Sequence, residues 1–127
     1  MLKRYLLAAT AAFTLTAHAE DNSPAYIQCM DTASTTTAMG SCIHAETQLQ
    51  DARLNKAYKQ LMATLASDPQ KRLREAQRSW IKYRESNCGF YSRMTGASID
   101  RIQGPMCELD MRRERAVELE QLLNPER

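Results

Sequence analysis

The stretch Asp51-Ala52-Arg53-Leu54-Asn55-Lys56-Ala57-Tyr58-Lys59-Gln60-Leu61-Met62-Ala63-Thr64-Leu65 decides the fold of this chain. Leu54, Tyr58, Leu61, Met62 and Leu65 recur every three or four positions, the period of an amphipathic helix. Read upstream, the helix is expected to start among Thr35-Thr36-Thr37, whose hydroxyls can cap it, and to run to about Ala66, with Gly40 a weak point. Downstream, Asp68-Pro69 is expected to open a second helix, Asp68 as N-cap and Pro69 at the first helical position, reaching about Cys88. Gly89 to Pro105 reads as a loop, punctuated by Gly96, Gly104 and Pro105. A third helix is expected from about Met106 to Leu123, ended by Asn124-Pro125. The polar segment from Glu20 to about Ser34 has no clear period and reads as an irregular arm tied down by Cys29. No strand-like alternation of any length occurs. The expected fold is all-α: a long antiparallel helical hairpin with a third helix packed on it and two disulfides.

The N-terminus sets the compartment. Met1-Leu2-Lys3-Arg4 is a short positive start, Tyr5 to Thr16 an uncharged and mostly apolar run, and Ala17-His18-Ala19 a small-x-small cleavage site. This is the layout of a secretory signal peptide, too short in its apolar part to span a bilayer comfortably. Residues 1–19 are therefore expected to be removed, leaving 20–127 as a single domain that is periplasmic or secreted. No lipobox cysteine sits at the cleavage site, and no later stretch suits stable membrane insertion. Lys3 and Arg4 account for the whole formal charge of +2, so the remainder is near neutral. A near-neutral domain argues against a general nucleic-acid binder.

All four cysteines, Cys29, Cys42, Cys88 and Cys107, follow the leader, and an even count in a small exported domain reads as disulfides. The local pairs Cys29–Cys42 and Cys88–Cys107 are expected. Cys42, Cys88 and Cys107 fall toward the same end of the bundle, which leaves crossed pairing open. With no C-x-x-C pair, no haem-attachment motif and only His44 beyond the leader, neither a metal site nor a cofactor is expected.

At the helical period, the inward faces are Asp51, Leu54, Asn55, Tyr58, Leu61, Met62 and Leu65 in the first helix. Leu73, Ala76, Gln77, Trp80, Tyr83, Arg84 and Asn87 face inward in the second, and Met111, Arg115, Ala116, Leu119, Leu122 and Leu123 in the third. Asp51, Asn55, Gln77, Arg84 and Arg115 are polar members of these apolar faces. A hairpin turning near Ser67-Asp68 would set Arg84 opposite Asp51, Trp80 opposite Asn55 and Gln77 opposite Tyr58, with Arg115 completing the group. The plain expectation is a paired network that fixes helix register, since buried charges persist only when paired and hydrogen-bonded.

Asp51-x-x-Leu54-Asn55-x-x-Tyr58, followed by Leu73-Arg74-x-Ala76-Gln77-Arg78-x-Trp80-Ile81-x-Tyr83-Arg84-x-x-x-Cys88, and then by Cys107, Arg115 and Leu119, resembles the LprI-like lysozyme inhibitor family. The resemblance runs from about Cys29 to Leu123. It implies a small exported helical domain with paired cysteines that inhibits a lysozyme. The matching residues are mostly those assigned above to core and register.

The chemistry of an enzyme is missing. Paired cysteines leave no free thiol, a triad would depend on His44, no serine sits in a nucleophile elbow, and nothing selects a glycosidase-like carboxylate pair. Two surfaces remain. Lys71, Arg74, Arg78 and Lys82 form a basic stripe opposite Trp80, which reads as a solubilising face or as a contact for an anionic partner. The Gly89–Pro105 loop carries Phe90, Tyr91, Met94, Ile99 and Ile102, an unusual apolar load for a connector, and these are the candidate partner-binding residues. The expected partner is a lysozyme whose cleft is occluded. The alternative is another envelope protein, with the chain acting as an immunity or assembly module.

Overall fold

The computed structural model describes residues 22–125, which form four helices and, among the described residues, no strand. The expected leader, 1–19, lies outside them. The first element, α1 (Pro24–Thr32), replaces the expected irregular arm. Ser23 caps it by accepting from the Tyr26 N–H, and Pro24 occupies the first turn, where its missing N–H costs nothing. The cap is itself held from afar. The buried Glu46 carboxylate accepts from the Ser23 backbone N–H (2.8 Å) and hydroxyl (2.6 Å) and from Gln50. Burial opposes ionisation of Glu46, but the hydrogen bonds from Ser23 and Gln50 outweigh it and hold the carboxyl below its ordinary value.

Helix α2 (Thr36–Thr64) begins as expected, with Thr35 accepting from the Ala38 N–H. Helix α3 (Ser67–Tyr91) begins two residues before the expected Asp68–Pro69 start and without a side-chain cap. Pro69 fits inside the first turn, because N–H groups there have no intrahelical acceptor. The sharp α2–α3 turn is closed by Gln70, whose amide donates to the carbonyls of Met62 and Leu65 at the end of α2. Helix α4 (Asp100–Leu123) starts well before the expected Met106 and runs through Gly104-Pro105. The loop is therefore residues 92–99, far shorter than Gly89–Pro105.

The helices do not pack as a simple hairpin with an added third member. α2 and α3 come close hardly anywhere beyond their turn. α4 packs against both, most extensively against α2, and α1 lies on α2. One core cluster joins Leu54, Ala57 and Leu61 of α2 to Ala116 and Leu119 of α4, flanked by Tyr58, Leu65, Leu73, Trp80 and Leu123. A second, smaller cluster joins Ile43 to Ile102 and Leu109, flanked by Tyr26, Met30, Met39 and Met106. Tyr83 and Leu122 are 62% and 57% exposed, and Asn55 and Ala76 are also at the surface, contrary to the expected inward faces. Those faces assumed that α2 and α3 meet directly. With α4 as the common partner, the inward faces keep Leu54, Leu61, Leu73, Trp80, Ala116 and Leu119 but lose Asn55, Ala76, Tyr83 and Leu122.

The disulfides are Cys29–Cys42, joining α1 to α2, and Cys88–Cys107, joining α3 to α4, with Cα separations of 5.7 and 5.4 Å. The second brackets the close crossing of the end of α3 and the start of α4. Gly104 makes that crossing possible: a Cβ there would sit 2.9 Å from Cβ and 3.1 Å from Cα of Ser92.

Candidate functional site

The loop end of the bundle is built by three constraints. Cys88–Cys107 fixes the separation of α3 and α4. Gly96 adopts φ +74°, the left-handed turn that favours glycine. The buried Asp100 carboxylate then ties the turn, accepting from the Thr95 hydroxyl (2.7 Å) and from the backbone N–H groups of Thr95 and Gly96. These hydrogen bonds, the Thr95 hydroxyl foremost, hold the Asp100 carboxyl below its ordinary value. A cluster of donors around one carboxylate thus makes a short, shaped loop out of a polar sequence.

The five apolar candidates separate here. Phe90 and Tyr91 lie in the last turn of α3, edge to face with ring centres 5.4 Å apart. Phe90, Met94 and Ile99 are 59%, 44% and 48% exposed, and Tyr91 is 37% exposed. Ile102 is buried in the second core cluster and leaves the exposed group. It faces Ile43 and Leu109 because α4 begins at Asp100, which turns Ile102 inward as a helical residue.

The polar residues of the core faces are brought together differently from the expected pairing. Arg84 does not meet Asp51. Its Nε lies 3.0 Å from Glu108, and its guanidinium lies over the Trp80 ring, 5.0 Å from the ring centre. Arg112 reaches Asp51 at 3.0 Å and also bonds Glu108 one turn back. The result is a chain Arg84–Glu108–Arg112–Asp51 that crosses from α3 to α2 by way of α4. Asn55, at the surface, donates to Asp51. Arg115 donates to Gln77 (3.0 Å) and pairs with Glu118, while Tyr58 packs on the first core cluster.

Glu108 and Arg112 are the members that reading the sequence missed. The signal was present: extended two turns back, the α4 stripe of Arg115 and Leu119 passes through Arg112 and then Glu108 at helical spacing. A stripe begun at Met111 starts after Glu108 and leaves Arg112 out. Asp51 is half exposed and Arg112 is largely covered, so this chain of charges forms part of a surface groove and is not a sealed core network. The groove, of about 650 Å³, has α4 as its floor and α2 and α3 as its walls. Lys71, Arg74, Arg78 and Lys82 are all exposed along α3.

The bundle is thus a disulfide-braced helical domain that turns Phe90 and Tyr91 outward from the last turn of α3 and Met94 and Ile99 outward from the adjoining loop. The chain belongs to the LprI lysozyme inhibitor family, whose model matches residues 29–119. It is also similar to the uncharacterized protein R02472 of Rhizobium meliloti (strain 1021), with 31% identity covering 65% of this chain and 69% of that one. No solved structure gives a significant match.

Proposed function

We propose that this protein is an exported, non-enzymatic inhibitor that binds a peptidoglycan-cleaving lysozyme and occludes its cleft. Membership of the lysozyme inhibitor family supports the target. The contact is assigned to Phe90, Tyr91, Met94 and Ile99, because apolar side chains held outward on the last turn of α3 and the fixed loop beside it are an unpaired surface. Bracing by Cys88–Cys107 and by Asp100 lowers the conformational entropy lost on binding. Export rests on the 1–19 leader, with cleavage near Ala19, and two disulfides suit an oxidising periplasmic or extracellular setting. No helix among the described residues is long and apolar enough to cross a membrane.

The test compares two surfaces of one molecule. Tyr91→Ser with Met94→Ser is expected to weaken lysozyme binding more than tenfold, about 1.4 kcal/mol, with unchanged helical content. Changing Lys71, Arg74, Arg78 and Lys82 together to Glu is expected to leave binding of a cationic lysozyme intact or to improve it. Titration of each variant against lysozyme, with circular dichroism as folding control, reads both. Loss of binding in the stripe variant and not in the loop variant sinks the proposal.

A further inference from the structure

The groove crossed by Arg84, Glu108, Arg112 and Asp51 is not used by the loop, and it is lined by ion-paired polar side chains from three helices. Nε of Arg84 is buried and makes no hydrogen bond among the described residues, although Glu108 lies 3.0 Å away. That contact is an ion pair without hydrogen-bond alignment, a looser engagement than a buried guanidinium usually has. Here the guanidinium, placed over the Trp80 ring, forms part of the wall of the groove.

The charges on the groove select its ligand. Arg84 and Arg112 are outnumbered by Asp51, Glu85 and Glu108, so an added anion meets a surplus of negative charge. A cation fares little better, because Glu108 and Asp51 already engage the two arginines. What fits is a neutral ligand whose groups both donate and accept. Donors and acceptors alternate along the chain Arg84, Glu108, Arg112, Asp51, and Thr47, Gln48 and His44 add groups of both kinds from α2. Pro105, exposed on the floor, offers an apolar patch. The volume falls within the range of small-ligand sites.

We propose that this groove binds a neutral oligosaccharide, with Arg84 donating to one of its oxygens and the carboxylates of Glu108 and Asp51 accepting from its hydroxyls. The site is separate from the loop and does not rest on the lysozyme assignment.

The test is a titration of ¹⁵N-labelled protein with chitotetraose, and in parallel with cellotetraose, followed by NMR. Binding is expected to shift the Arg84 Nε–H resonance together with the backbone amides of residues 44–51, and to saturate. Gln48→Trp fills the groove from an exposed position, so packing is retained. It is expected to weaken binding at least tenfold with an unchanged melting temperature and unchanged lysozyme inhibition. Arg84→Gln is expected to weaken binding to a similar degree. Absence of a shift with both sugars overturns the proposal, as does undiminished binding in Gln48→Trp. Saturation of the same resonances by acetate and not by either sugar also overturns it, making the groove an anion site. Sugar binding in a protein that fails to inhibit lysozyme leaves this proposal standing and removes the loop assignment.

Discussion

The two halves of the bundle are held together in different ways. Around Leu54, Ala57, Leu61, Ala116 and Leu119, α2 and α4 interlock through aliphatic side chains with little or no exposure, and no cross-link is present. Around Ile43, Ile102 and Leu109 the buried set is smaller and is padded by Met30, Met39 and Met106, whose unbranched side chains fill irregular space. Both disulfides lie in this second half. The difference teaches how a short chain can spare apolar residues for its surface. Phe90, Met94 and Ile99 would enlarge the core if they turned inward. They stay exposed because the cross-links and the Asp100 cluster hold the loop end without them.

The comparison breaks first, if it breaks, at Leu119. Leu119 is fully buried, and Leu119→Ala is expected to cost roughly 2–5 kcal/mol in urea unfolding, from lost burial and the cavity left behind. A loss below 1 kcal/mol would mean that the aliphatic half is not the main source of stability. A cost of about 3 kcal/mol is expected for Cys88→Ser combined with Cys107→Ser, from the loop entropy returned to the unfolded chain. Hydrogen exchange sharpens this second case. Amides near Leu54 to Leu61 should stay protected while those of residues 88–104 lose protection, and a uniform loss would show that the halves do not act separately. The smallest effect belongs to Asp51. It is half exposed, so Asp51→Ala is expected to cost about 0–1 kcal/mol, as for surface ion pairs. A thermal-melt difference equivalent to more than 3 kcal/mol would show that Arg112 depends on Asp51 as a buried partner.

Asp51 also marks the limit of what was legible. Its place on a helix with Leu54 and Tyr58 could be read directly. Its partner could not, because the pairing with Arg84 followed from placing α2 against α3. Chain neighbours joined by a short turn usually pack together, and here α4 takes most of the packing from both. The loop end was legible in kind but not in extent. Its apolar residues stood out, but Gly104-Pro105 read as punctuation. In the structure Gly104 admits Ser92 at the crossing, and Pro105 is carried inside a helix. The groove was not legible at all, since its lining comes from three helices and three of its charges, Glu85, Glu108 and Arg112, went unnoticed.

Local chemistry determined a good deal of this protein. The apolar period made the described residues all-helical, Thr35 marked the start of the longest helix among them, and the spacing of the cysteines favoured the pairs that form. These depend on residues near one another along the chain, where propensity and short-loop entropy act. Tertiary structure decided the rest. The nine-residue α1 is too short to hold alone and relies on Glu46 and Cys42 of α2. The start of α4 follows a loop fixed by Asp100. Arg84 has Glu108 beside it because α4 meets α3, a contact between segments far apart in the chain that no local pattern encodes.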